Sequence, residues 1–247
     1  MKRQSEVSKV KKNFLRLKYD FKIIYREPIM IIFAILPLFL MFLFRFGLPP
    51  LMEFFALKTT FEPHLYTNYI FALALIMTPY MTGTLAGFIM LDEKDGSVLE
   101  LILVTPTGFS GYLVTRLMGS VVLSVMYSIL GFILYNSMGY SYSLLPGIIL
   151  LLAIQSSITS LILFSAAKNK VQGLTMAKGL GLLMAPIFFD LLNNSFLKII
   201  GYGSPYYWTY AYLVNENSAS LLIGLAINIV WLVGMLILGF RKTYKFI

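Results

Sequence analysis

Residues 117–167 read LMGSVVLSVMYSILGFILYNSMGYSYSLLPGIILLLAIQSSITSLILFSAA, 51 positions without one charged side chain. As a single helix this run would measure about 75 Å, against a bilayer hydrocarbon core of about 30 Å, so it must fold back on itself. Turn formers gather at its middle, Asn136, Gly139, Ser141, Ser143 and Pro146, which divides it into two crossings. The run lacks the apolar–polar alternation of barrel strands, and only helices satisfy their own backbone in lipid.

The same reading extends in both directions. Pro28–Phe44 is charge-free for 17 residues and Leu65–Leu91 for 27. Gly179–Leu197 is interrupted only by Asp190 before Lys198, and Asn217–Phe240 supplies another long apolar stretch. The sequence thus predicts an all-α integral membrane protein with six transmembrane helices, at about 28–46, 65–91, 112–138, 144–167, 179–197 and 217–240, within one domain over 28–247. Composition agrees: 58% of the 247 residues are hydrophobic and 13% charged, too few charges to cover a soluble core of this size. With no cysteine, disulfides, thiol chemistry and Cys-ligated metals are excluded, and a single histidine argues against a His-based metal site or relay. His64, near Glu62, reads as a solvated residue, and no metal site is expected.

If the N-terminus is cytoplasmic, 17 of the 20 Lys and Arg fall on that side, leaving Arg45, Lys58 and Lys198 outside. This asymmetry predicts cytoplasmic N- and C-termini in a prokaryotic plasma (inner) membrane. The net charge of +9 is then an orientation signal, and no nucleic acid partner is expected. Residues 1–27 are too charged for a cleavable leader. Val7, Val10, Phe14, Leu17, Phe21 and Ile24 recur at steps of three and four between lysines and arginines. That pattern predicts an amphipathic helix in the interface of the lipid bilayer, acting either as an anchor or as a lever on a cytoplasmic partner.

Between the second and third spans runs DEKDGSVLELILVTP, residues 92–106. Ser97 and Glu100 match the S-x-x-E capping box, which predicts a helix starting at Val98 and stopped by Pro106. A capped apolar helix of about two turns beside the cytosol implies a protein partner.

Glu93, Gly96, Leu99, Leu103, Thr105 and Pro106, followed by Tyr112 and Arg116, resemble the signature after the second span of ABC-2 type transporter permeases. Lys168–Gly179 with Pro186, and Ser204-Pro205-Tyr206-Tyr207-Trp208, are similar to the fluoroquinolone-export permease branch. The resemblance implies that the short helix is a coupling helix carrying Glu93, Gly96, Ser97, Leu99, Glu100, Leu103, Thr105 and Pro106 against a separate ABC ATPase subunit. It implies a second permease, as a homodimer or with a sister subunit, to close the pathway. The chain has no G-x-x-x-x-G-K-[ST] loop, so it is expected to be a transport subunit and not an enzyme. It would hold no cofactor, ATP and Mg being bound and ATP hydrolysed on the partner.

Asp190 is the only acidic residue well inside a predicted span, with Asn193 and Asn194 at i+3 and i+4. The group reads either as a polar lining of the translocation path or as a helix end at the interface. Gln155, Ser156, Thr159 and Ser160 give the fourth span a polar stripe, of which Gln155 and Thr159 are candidates for the path. The stripe, the Ser120/Ser124/Ser128 ridge and the Gly83-x-x-x-Gly87 pair suit helix packing. Arg45 and Arg116 read as span-end residues reaching for the interface. Tyr202, Tyr206, Tyr207, Trp208, Tyr210 and Tyr212 form an aromatic belt. The resemblance implies outer re-entrant helices there, with Tyr206, Tyr207 and Trp208 as an outer gate.

The function expected is the permease of an ATP-driven drug or multidrug efflux system, exporting an amphipathic or hydrophobic substrate from the cell. The competing reading is a self-sufficient secondary carrier or channel. Against it, the spans carry neither repeated ionisable residues nor paired interruptions in matching halves.

Overall fold

The computed structural model describes residues 22–58, 66–106, 108–135, 140–192 and 194–244. The predicted interfacial helix lies outside these except for a helical piece at 22–26, and the readings of His64, Asn136, Gly139 and Asn193 lie outside them too. Among the described residues six helical stretches are long and apolar enough to cross a membrane.

Helix α1 (Pro28–Lys58) leads to α2 (Thr67–Asp95), the short α3 (Val98–Leu103) and α4 (Gly108–Tyr135). A 3₁₀ turn at Tyr142–Leu144, with Ser141 accepting from Ser143 N, opens α5 (Leu145–Ala166). The fifth crossing is composite: α6 (Lys170–Leu180) continues as a 3₁₀ helix over Gly181–Leu192. Two short helices, α7 (Ser195–Tyr202) and α8 (Tyr207–Asn215), precede α9 (Ser218–Tyr244).

Helices α2 and α5 run parallel through the centre and are mostly buried, while most residues of the other crossings are not buried within the chain. The seam between them depends on small residues. A Cβ on Gly83 would lie 2.4 Å from Ser156 O, and one on Gly87 would lie 2.9 Å from Leu163 Cβ. Ser160 Oγ donates to Gly83 O at 2.9 Å. Close approach of backbones is how membrane helices gain dispersion energy without a hydrophobic drive. Ser124 Oγ donates to Leu152 O at 3.2 Å, so the serine ridge of α4 also packs on α5.

Two boundaries differ from the sequence expectation. The first helix does not stop near Arg45 but continues to Lys58. One cation whose guanidinium lies 5.8 Å from the Phe46 ring does not end a helix. The loop expected over 168–179 is helical from Lys170, because Asn169 caps it: its Oδ1 accepts from Gln172 N at 2.9 Å, and Gln172 Oε1 accepts from Lys168 N at 2.8 Å.

All sites fall at two ends of the bundle. The basic end holds the starts of α1, α4 and α6 and the ends of α2, α5 and α9. The aromatic end holds the opposite termini together with α7 and α8.

Candidate functional site

At the basic end each residue of Asp92-Glu93-Lys94-Asp95 ties the foot of α2 to another element. Glu93 is 5% exposed. Its carboxylate accepts from Tyr112 Oη at 2.9 Å and Arg116 Nε at 2.9 Å, and pairs with Arg116 Nη2. Asp92 accepts from Lys170 Nζ at 3.0 Å, and the same ammonium pairs with Glu27. Lys94 Nζ lies 3.4 Å from Ala167 O, and Asp95 Oδ2 accepts from Lys170 N at 2.8 Å. The feet of four crossings are therefore bound through one tetrapeptide. One sequence reading is corrected here. Arg116 is not a span-end residue reaching outward but sits inside α4, spent on Glu93. Glu93 faces the bundle interior, because its carboxylate has three donors there.

The S-x-x-E capping box does not form. Ser97 has φ +56° and no side-chain cap bond. The closing turn of α2 uses it instead: Gly96 N donates to Asp92 O at 2.9 Å and Ser97 N to Lys94 O at 3.2 Å, an ending that favours a left-handed residue next. Helix α3 nevertheless spans Val98–Leu103, because Leu99 is buried with Met90, Phe109, Tyr112, Leu113, Leu161 and Phe164. Leu103 also packs on that cluster. The surface α3 offers is made by Val98, Leu101 and Val104, which are 38, 69 and 85% exposed, alongside exposed Glu100. The motif-based reading picked Leu99 and Leu103, the anchoring face. The step of three through Val98, Leu101 and Val104 was the signal for the presented face. Gly96, Ser97, Thr105 and Pro106 are exposed around it, and Thr105 Oγ1 closes the helix on Ile102 O at 2.6 Å.

At the aromatic end α7 and α8 form a hairpin that re-enters the bundle. Its apex, Gly203–Tyr206, meets Gln155, ten residues on from Leu145, and Asn228, ten on from Ser218. That is about 15 Å along each helix, half of a hydrocarbon core. Non-helical backbone survives at that depth only where protein satisfies it. Trp231 Nε1 donates to Gly203 O at 2.9 Å, Ser204 Oγ to Leu183 O at 2.8 Å, and Gln155 Nε2 and Asn228 Nδ2 to Pro205 O at 2.8 and 3.2 Å. Tyr206, 1% exposed, shares a hydrogen bond with Thr159 Oγ1. Gln155 Nε2 also reaches Thr209 Oγ1 at 2.9 Å. Gln155 Oε1 and Asn228 Oδ1 find no partner among the described residues.

Of the residues proposed for an outer gate, Tyr206 and Tyr207 are buried, while Trp208 is half-buried and donates to Tyr202 O at 2.9 Å. Asp190 lies in the last turn of the fifth crossing, where it accepts from Tyr207 Oη at 3.3 Å and lies 3.8 Å from Lys198 Nζ. Tyr207 adjoins Tyr210, whose ring stacks on Tyr69 with centroids 4.8 Å apart. Asn194 does not share a helix face with Asp190. The 3₁₀ helix ends at Leu192, and Asn194 caps α7 by accepting from Phe196 N and Leu197 N. Asp190 and Asn194 are thus parted by a helix start, and Gln155 and Thr159 join the hairpin apex and not Asp190. Asn228 was missed by sequence reading, although a lone amide mid-way along an apolar span is the signal for a buried partner.

The family model described as fluoroquinolones export permease protein Rv2686c-like matches residues 20–238. Two Mycobacterium tuberculosis proteins are each 26% identical over 238 residues, covering 91% of this chain and 92% of their own: fluoroquinolones export permease protein MT2760 of strain CDC 1551 / Oshkosh, and fluoroquinolones export permease protein Rv2686c of strain ATCC 25618 / H37Rv. No solved structure matches the chain.

Proposed function

The chain belongs to the Rv2686c-like fluoroquinolones export permease family, and from that premise we propose that it is the membrane subunit of an ATP-driven exporter. In this reading a separate ABC ATPase subunit, which binds ATP and Mg, docks on α3 from the cytoplasm. A second permease, identical or a sister chain, completes the pathway. The basic end faces the cytoplasm, as the 17-to-3 division of Lys and Arg supports. The cargo is an amphipathic drug of the fluoroquinolone kind, in line with the names of the two relatives.

The observation that carries this reading is the face of α3. Val98, Leu101 and Val104 project from the basic end while Leu99 and the Glu93–Arg116 pair fix the helix to the bundle. Apolar side chains left exposed on an anchored helix are what a partner's groove buries. Motion of the ATPase would pass through α3 and the tetrapeptide to α2 and α4, a two-state element biased by nucleotide. The Gln155, Thr159 and Asp190 regions are the proposed polar contacts along the path, with Tyr206, Tyr207 and Trp208 of the hairpin closing it between the outer end and mid-depth.

Drug accumulation in cells expressing the chain with its ATPase tests the function. Efflux should lower the fluoroquinolone content, and Leu101→Glu with Val104→Glu should restore it to the level of cells lacking the chain. Unimpaired efflux by that double variant, present in the membrane at normal level, overturns the coupling role.

A further inference from the structure

Twelve consecutive residues, Gly181–Leu192, form a 3₁₀ helix in the fifth crossing. Such runs rarely exceed three or four residues, because their hydrogen bonds are poorer than those of an α-helix. Something must favour this register over the continuation of α6, and proline chemistry identifies it. In the 3₁₀ pattern the donor to Leu183 O is the nitrogen of Pro186, which carries no hydrogen. In an α-helix the carbonyl orphaned by the same proline would be that of Leu182, about 100° away around the axis. Ser204 Oγ donates to Leu183 O at 2.8 Å, the carbonyl orphaned in the 3₁₀ register and not in the other.

We infer that the fifth crossing is a two-register element, latched in its longer 3₁₀ form by Ser204 at the apex of the re-entrant hairpin. Each residue of 3₁₀ helix rises about 0.5 Å more than one of α-helix, so conversion of the segment shortens the crossing by about 6 Å. Glycines at 179 and 181 flank the junction. Tyr80 Oη donates to Ala177 O at 2.7 Å just before it, which holds the α portion to α2. The foot is held by Lys170 on Glu27 and Asp92. The hairpin follows the mobile part, since a Cβ on Gly201 would lie 3.4 Å from Pro186 Cβ. A register change therefore moves the hairpin relative to the basic end and releases Ser204. The inference holds whether or not an ATPase drives the change.

The chain contains no cysteine, so cysteines placed at the exposed positions Val171 and Leu192 take spin labels without background. Distances are then read by pulsed electron paramagnetic resonance on the full chain in nanodiscs. The 3₁₀ register predicts a backbone separation of roughly 38 Å and the all-α register roughly 32 Å. The parent pair should give the longer distance, and Ser204→Thr, which keeps the hydroxyl, should retain it. Ser204→Ala should add a population about 6 Å shorter. Pro186→Ala removes the orphan in both registers and should shorten the distance whichever residue stands at 204. A Ser204→Ala protein with only the longer distance, a Pro186→Ala protein that stays long, or a parent pair at the shorter distance overturns the latch.

Discussion

The two ends of this bundle solve the same problem, fastening helices that share no hydrophobic drive, with opposite chemistry. At the basic end the fasteners are charges: Glu93 on Arg116, and Lys170 on Asp92 and Glu27. At the hairpin apex they are neutral: amides, hydroxyls and an indole holding carbonyls of Gly203, Leu183 and Pro205. Depth explains the difference. At the basic end Glu93 is neutralised by Arg116 and the partners of Lys170 stay partly exposed, whereas a charge at the bilayer centre costs about 2.5–3.5 kcal/mol on insertion scales. The tool available to a deep, non-helical backbone is therefore the uncharged donor. Where the protein places a carboxylate near the aromatic end, as Asp190, it lies in the last turn of its crossing with Tyr207 and Lys198 beside it.

The comparison breaks hardest at Arg116. Arg116→Ala leaves the Glu93 carboxylate buried with only Tyr112, which should cost about 3–5 kcal/mol. Thermal unfolding in detergent should show that loss, with Glu93→Gln plus Arg116→Met recovering most of it. Gly83→Ala tests the neutral seam joining the two ends. Its methyl meets backbone, so about 1–3 kcal/mol should be lost, and truncating Ser156 should not relieve it because the clash is with Ser156 O. At the apex Gln155→Leu removes one of the two amide donors to Pro205 O while Asn228 remains, at a cost of about 0.5–1.5 kcal/mol, and proteolysis of the hairpin should accelerate. The smallest effect belongs to Lys170→Ala, about 0.2–1 kcal/mol, since its partners are partly exposed. That loss should shrink in high salt, and the Gln155 loss should not.

What the sequence carried and what it withheld divide along the same line. Long charge-free runs fix the number of crossings, because lipid leaves the backbone no other option. Pairings between elements distant in sequence were not legible. The S-x-x-E at Ser97 and the N-x-x-Q at Asn169 look equivalent as strings. Only the second forms a cap, because Ser97 is already committed to the closing turn of α2. Arg116 reads as a span-end cation until Glu93, 23 residues earlier, is found against it. The aromatic cluster announced something beyond a belt, yet its depth follows from Gln155 and Asn228, two amides that sequence alone does not bring together. Of the residues proposed for coupling, Leu99 and Leu103 lie on the inward face of α3, since a motif records which residues recur and not which way they point.

Purification of the tagged chain in mild detergent from a membrane that also contains its ATPase tests the central claim most directly. The account predicts that nucleotide hydrolysis co-purifies with the parent chain and is lost with Leu101→Glu and Val104→Glu, while the helical content and unfolding temperature of the chain stay unchanged. A chain that purifies without hydrolytic activity and still moves fluoroquinolone across liposomes on its own would contradict it.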